Sequence, residues 1–132
     1  MTTTSANGRH RVGIVATHPI QYQVPWYRRL SEHPSVELRV YYSLLPDERQ
    51  QGVGFGVPFS WDVPLLDGYR WKLLPNARRA PGLDGFFATS TPTVGEAFST
   101  DALDAVVITG WHSLPMLQAL AAAVRRGIPR LV

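Results

Sequence analysis

Residues 11–17 read Arg11-Val12-Gly13-Ile14-Val15-Ala16-Thr17. From Val12 to Ala16 no side chain is polar. A strand that is apolar without alternation is covered on both faces, and such strands belong to parallel sheets flanked by helices. Ala105-Val106-Val107-Ile108-Thr109 repeats the pattern. Two segments between these runs alternate instead. Val36, Leu38, Val40 and Tyr42 are interleaved with Glu37, Arg39 and Tyr41, and Tyr69, Trp71 and Leu73 with Arg70 and Lys72. Alternation marks a wetter face, so these strands belong nearer an edge. Pro129-Arg130-Leu131-Val132 opens a fifth strand.

Helical signals fall between the strands. Pro25 suits a first helical turn, and Trp26, Tyr27 and Leu30 form an apolar stripe that runs to about Glu32, with His33-Pro34 as the stop. Thr91 is a candidate cap with Pro92 at the first position of a helix reaching Phe98. Ser113 is the candidate cap of a third helix. There Leu114, Leu117, Leu120, Ala121 and Val124 keep helical spacing, and Arg125, Arg126 and Gly127 close the helix. Strand, helix, strand repeated in this way predicts an α/β, Rossmann-like doubly wound parallel sheet. The two doubly buried strands belong at its centre, which gives the order 3-2-1-4-5.

The chain has 132 residues, 45% hydrophobic and 17% charged, enough for one soluble domain with a core. Residues 1–10 lack an apolar signal core and read as a disordered tail, with the domain over 11–132. No cysteine is present, which excludes disulfides, a thiol nucleophile and cysteine-held metal. No apolar run approaches the ~20 residues of a membrane span, so a cytoplasmic location is the expectation. The formal charge is +3, carried mostly by arginine. The pairs Arg28-Arg29, Arg78-Arg79 and Arg125-Arg126 are scattered without interleaved aromatics, and no nucleic-acid partner is expected. Residues 44–64 break the pattern with a Gly/Pro/aromatic stretch, expected to be an ordered excursion packed on the domain.

In doubly wound sheets ligands bind beyond the carboxyl ends of the strands, where the winding reverses. The loop after the first strand is Thr17-His18-Pro19-Ile20-Gln21-Tyr22-Gln23, and that after the fourth is Gly110-Trp111-His112-Ser113. Each carries a histidine, so His18 and His112 are expected to converge on one crevice. Bland readings stand beside this. The histidines suit hydrogen-bonded loop positions as well. Gln21 and Tyr22 suit the cap and flank of the next helix, Trp111 suits a core lid, and Gly110 suits a turn off the strand end. No carboxylate or third histidine near them completes a metal set, so no metal is expected. The cluster Gly52-Val53-Gly54-Phe55-Gly56 is not a G-x-G-x-x-G turn, and the first turn has no glycine, which argues against dinucleotide binding.

The run from Arg11 to Tyr27, including Thr17-His18-Pro19-Ile20-Gln21-Tyr22, resembles the opening of bacterial family 4 glycosyltransferases. Residues 54–69 and Thr109-Gly110-Trp111-His112 are similar to further segments of that group, so the resemblance spans residues 11–132. It implies a GT-B fold, two Rossmann-like domains across a cleft, with this chain as the N-terminal, acceptor-side half. It further implies transfer of a sugar from a nucleotide-sugar to a hydroxyl acceptor, with retention and without a metal or other cofactor. His18 and His112 would be the catalytic positions. Gln21, Tyr22, Gly110 and Trp111 would bind the acceptor, and Asp62 lies in a matching motif. The glycine-rich turn usual after the family's first strand is replaced here by His18-Pro19-Ile20-Gln21-Tyr22. The donor-binding half is not in this sequence, which is expected to be a fragment, inactive alone and needing that C-terminal domain as partner. Peripheral membrane association of the full enzyme is compatible with this reading. A non-catalytic carbohydrate- or partner-binding module using the same crevice is the alternative.

Overall fold

The computed structural model describes residues 8–45 and 65–132. The excursion expected within 44–64 lies almost wholly outside them, as does Asp62. The described chain runs β1 (His10–Ala16), α1 (Val24–Ser31), β2 (Val36–Tyr42), β3 (Trp71–Leu73), α2 (Val94–Thr100), β4 (Ala105–Ile108), α3 (Leu114–Arg125) and β5 (Arg130–Leu131). It is an α/β structure of Rossmann-like kind, as the unbroken apolar runs required. The five strands lie side by side as β3-β2-β1-β4-β5, and every pairing is parallel.

Both faces of the central strands are covered. Ile14 and Ala16 of β1 join Leu38, Val40 and Tyr42 of β2 under Tyr27 of α1. Val15 points the other way and joins Tyr41, Phe98, Val106, Ile108 and Met116 beneath α2 and α3. Phe98 is fully buried and meets Tyr41 edge-on at 5.5 Å between ring centres. Gly13 keeps this face thin, because a Cβ there would stand 2.6 Å from Leu103 Cδ1 and 3.0 Å from the Tyr41 ring.

Several local expectations change. Tyr41 lies on the face of Glu37 and Arg39 but is not wet. It is fully buried, and its hydroxyl donates to Asp101 Oδ2 at 2.6 Å. Burial, and the carboxylate it meets, push that phenol far above its ordinary pKa. β2 therefore leaves solvent halfway along, where α2 closes over it. In α1 the buried residues are Val24 and Tyr27, while Trp26 is 72% exposed and Leu30 also faces solvent. α2 starts at Val94 with Thr93 at its cap. Thr91 is buried before the helix because its N–H donates to Gln118 Oε1 of α3 at 2.7 Å, which anchors the segment.

The largest change is in α3. Its buried face is Pro115, Met116, Ala119, Ala122 and Ala123. Of the expected stripe Leu117 and Val124 are exposed, while Leu120 is half-buried against the core. Alanines let the helix backbone approach the sheet closely, and that close packing outweighs burying the bulkier stripe. β1 also begins at His10, inside the expected tail, where the His10 N–H donates to the Ser35 carbonyl.

Helices α2 and α3 end in the same hydrogen-bond pattern. Ile128 N–H reaches Ala123 O and Gly127 N–H reaches Val124 O after α3. Leu103 N–H reaches Phe98 O and Ala102 N–H reaches Ser99 O after α2. This Schellman arrangement needs a left-handed residue just past the helix. Gly127 supplies it at φ +64°, whereas Ala102 adopts φ +50° with a Cβ in the way.

Candidate functional site

A crevice of about 220 Å³ opens at the carboxyl ends of β1 and β4. Its walls include Thr17 and His18 after β1, and His112 and Ser113 after β4. The two histidines that chain order separates are thus brought together by the β1–β4 pairing. Thr109 fixes the spacing, since both its N–H and its hydroxyl donate to the Val15 carbonyl, at 3.2 and 2.9 Å. Gly110 then turns the chain at φ +154°, and a Cβ there would lie 2.9 Å from His112 Nδ1. A side chain at this position would collide with the His112 ring.

His18 is held by a hydrogen bond between its Nδ1 and Thr17 Oγ1 at 2.9 Å. Burial, and secondarily the nearness of His112, push its pKa below the ordinary 6.5. His18 is therefore neutral at physiological pH. A neutral imidazole offers one donor and one acceptor. If Thr17 accepts from Nδ1–H, Nε2 carries the free lone pair; if Thr17 donates, Nε2 carries the proton. Either way Thr17 sets which role the outer nitrogen plays.

The third wall is a loop that the sequence reading did not assign, with Gly82, Leu83, Gly85, Phe86 and Thr89. It is well tied. Asn76 receives the N–H groups of Arg78 and Ser90 on one oxygen and donates to the Ser43 carbonyl. Leu114 N–H donates to the Phe86 carbonyl at 3.0 Å, locking the loop to the start of α3. The only sequence signals are Asn76 and the closely spaced Gly82 and Gly85, of which Gly85 takes φ +105°.

Ser113 occupies the cap position of α3, yet its side chain makes no cap hydrogen bond. The reason is local. Leu114 N–H already serves Phe86, Pro115 has none, and Met116 N–H is satisfied by the Ser113 carbonyl at 3.1 Å. The buried Ser113 hydroxyl is left without a partner. The same three facts leave no first-turn amide to cradle an anion, the usual service of a helix N-terminus. Every described wall residue is a neutral side chain or a histidine.

The remaining sequence candidates sit elsewhere. Gln21 and Tyr22 are exposed, and Tyr22 lies near the Tyr27 phenol of α1, whose pKa burial and neighbouring phenols push up to about 12. Trp111 is 73% exposed, a rim residue and not a core lid. None of these three is in the crevice wall. Among the described residues no cluster of three or more His, Asp or Glu side chains is arranged to hold a metal ion, and no helix is long and apolar enough to cross a membrane. No protein-family model, curated protein or solved structure matches the chain.

Proposed function

We propose that the chain is the acceptor-side domain of a GT-B glycosyltransferase, with the β1–β4 crevice holding a hydroxylated acceptor. The observation that carries this reading is the meeting of His18 and His112 in a crevice of neutral walls. Sugars are uncharged and rich in hydroxyl groups, so each contact needs a donor or acceptor and no counter-charge. A neutral His18 and the Thr17 hydroxyl supply such groups. The resemblance at residues 11–27 and 109–112 supports the sugar-transfer class.

In this reading His18 and His112 contact the reacting hydroxyl, and the outer nitrogen of His18 accepts its proton while it attacks the donor sugar. Trp111 stands exposed next to His112, where an indole face suits stacking on a sugar ring. A second domain would hold the nucleotide-sugar, and catalysis would rest on positioning plus stabilisation of the leaving phosphate.

The test is titration of the isolated chain with neutral methyl hexosides, followed by NMR, beside an assay of nucleotide-sugar turnover. Saturable hexoside binding without turnover is expected. Turnover by the chain alone, or no hexoside binding, would contradict the reading.

A further inference from the structure

At the other end of the sheet lies a cluster of arginines that belongs to none of the three scattered pairs. The β1–β2 register sets Arg11 beside Glu37 and Gly13 beside Arg39, and Arg70 immediately precedes β3 at the level where Val40 pairs with Trp71. Glu37 consequently faces three guanidinium groups, Arg39 at 3.2 Å, Arg11 at 3.7 Å and Arg70 at 3.8 Å. A cavity of about 370 Å³ opens beside them, and Arg9, Ser31, Glu37, Arg39 and Arg70 all stand in its wall. Nearby, the Arg28 Nε donates to the Asp67 backbone carbonyl at 2.7 Å.

One carboxylate does not balance this cluster. Among the described residues, Arg11, Arg39 and Arg70 against Glu37 leave an excess of positive charge beside the cavity. Like charges held this close repel, and an anion between them would relieve that repulsion. Guanidinium groups present paired N–H donors that match phosphate oxygens. The volume sits at the small end of ligand pockets, roughly 300–1,000 Å³. Two features oppose an anion here, the Glu37 carboxylate and the carboxyl end of α1 at Ser31. A ligand that overcomes both must bring more than one negative charge.

We propose that this cavity binds a phosphate-class polyanion, a diphosphate group in preference to a single carboxylate. Such a group is found on soluble phosphorylated metabolites and on phosphorylated lipid headgroups, and the cavity reads the chemistry that they share. The site is separate from the histidine crevice and stands independently of the sugar-transfer reading.

The experiment is titration of the full chain with inorganic pyrophosphate, inorganic phosphate and acetate, followed through the arginine side-chain NMR signals. Saturable binding is expected in that order of affinity. Arg70 is the variant of choice because its side chain is 72% exposed, so that truncation leaves the fold alone. Arg70→Ala is expected to weaken pyrophosphate binding about tenfold, with Arg70→Lys in between. Vesicles of phosphatidylcholine with and without phosphatidic acid separate the two sources. Attachment that pyrophosphate competes away assigns a headgroup, and pyrophosphate binding without attachment assigns a soluble ligand. The proposal is overturned by absence of saturable pyrophosphate binding, by affinity indifferent to Arg70→Ala, or by vesicle attachment that pyrophosphate does not displace.

Discussion

The two ends of the sheet are built from the same strands and carry opposite electrostatics. At the carboxyl ends of β1 and β4 the wall is neutral, and burial keeps His18 uncharged. At the amino ends of β1, β2 and β3 three arginines crowd one glutamate beside an open cavity. A parallel sheet makes this division natural, because all its strands end on one side and begin on the other. Loops at the two sides answer to different chemistry while sharing one core. The difference in charge is what the two proposals rest on, a hydroxyl-rich neutral ligand at one end and a polyanion at the other.

The strongest way to break the comparison is to remove what both ends share. Phe98 is fully buried beneath β1 and β2, and Phe98→Ala is expected to cost about 3–5 kcal/mol by chemical denaturation. Loss of one ligand response with full retention of the other would show that the two ends do not depend on this core. Next in size is Gly110→Ala, which forces a Cβ against His112 at a φ of +154°. A loss of about 1–3 kcal/mol is expected, with hexoside binding lost and pyrophosphate binding intact.

The comparison is sharpened by pH. The folded-state pKa of His18 lies below 6.5, so the unfolded chain binds its proton first as pH falls. Stability contributed by His18 is therefore full above 6.5 and declines as pH drops from 6.5 through the lower folded value. Urea midpoints recorded from pH 7.5 down to 5 are expected to fall, and to fall less in His18→Gln. The smallest effect lies away from both ends. Ala102→Gly relieves the left-handed turn after α2 and is expected to raise stability by a few tenths to about 1 kcal/mol. Either ligand response changing with it would tie α2 to a site.

The central strands were legible because burial on both faces erases alternation, as in Val12–Ala16 and Ala105–Ile108. The meeting of His18 and His112 was legible for the same reason, since neighbouring central strands bring their following loops together. The packing face of α3 was not, because its alanines are individually less apolar than Leu117 and Val124, and only the close approach to the sheet favours them. Glu37 and Arg39 share a strand face by alternation, but the rest of the arginine cluster was hidden by register, as nothing local to Arg11 or Arg70 says that they meet Glu37. The Gly82–Thr89 wall was hidden because it joins the crevice through non-local hydrogen bonds at Asn76 and Leu114.

The most direct measurement of the central claim is the NMR titration of the His18 and His112 imidazole Cε1–H signals with neutral methyl hexosides at pH 7.5. Both signals are expected to move together and saturate, while the arginine signals stay in place. Imidazole signals that do not move, or that move only with pyrophosphate, would contradict the assignment of the crevice to a neutral hydroxylated ligand.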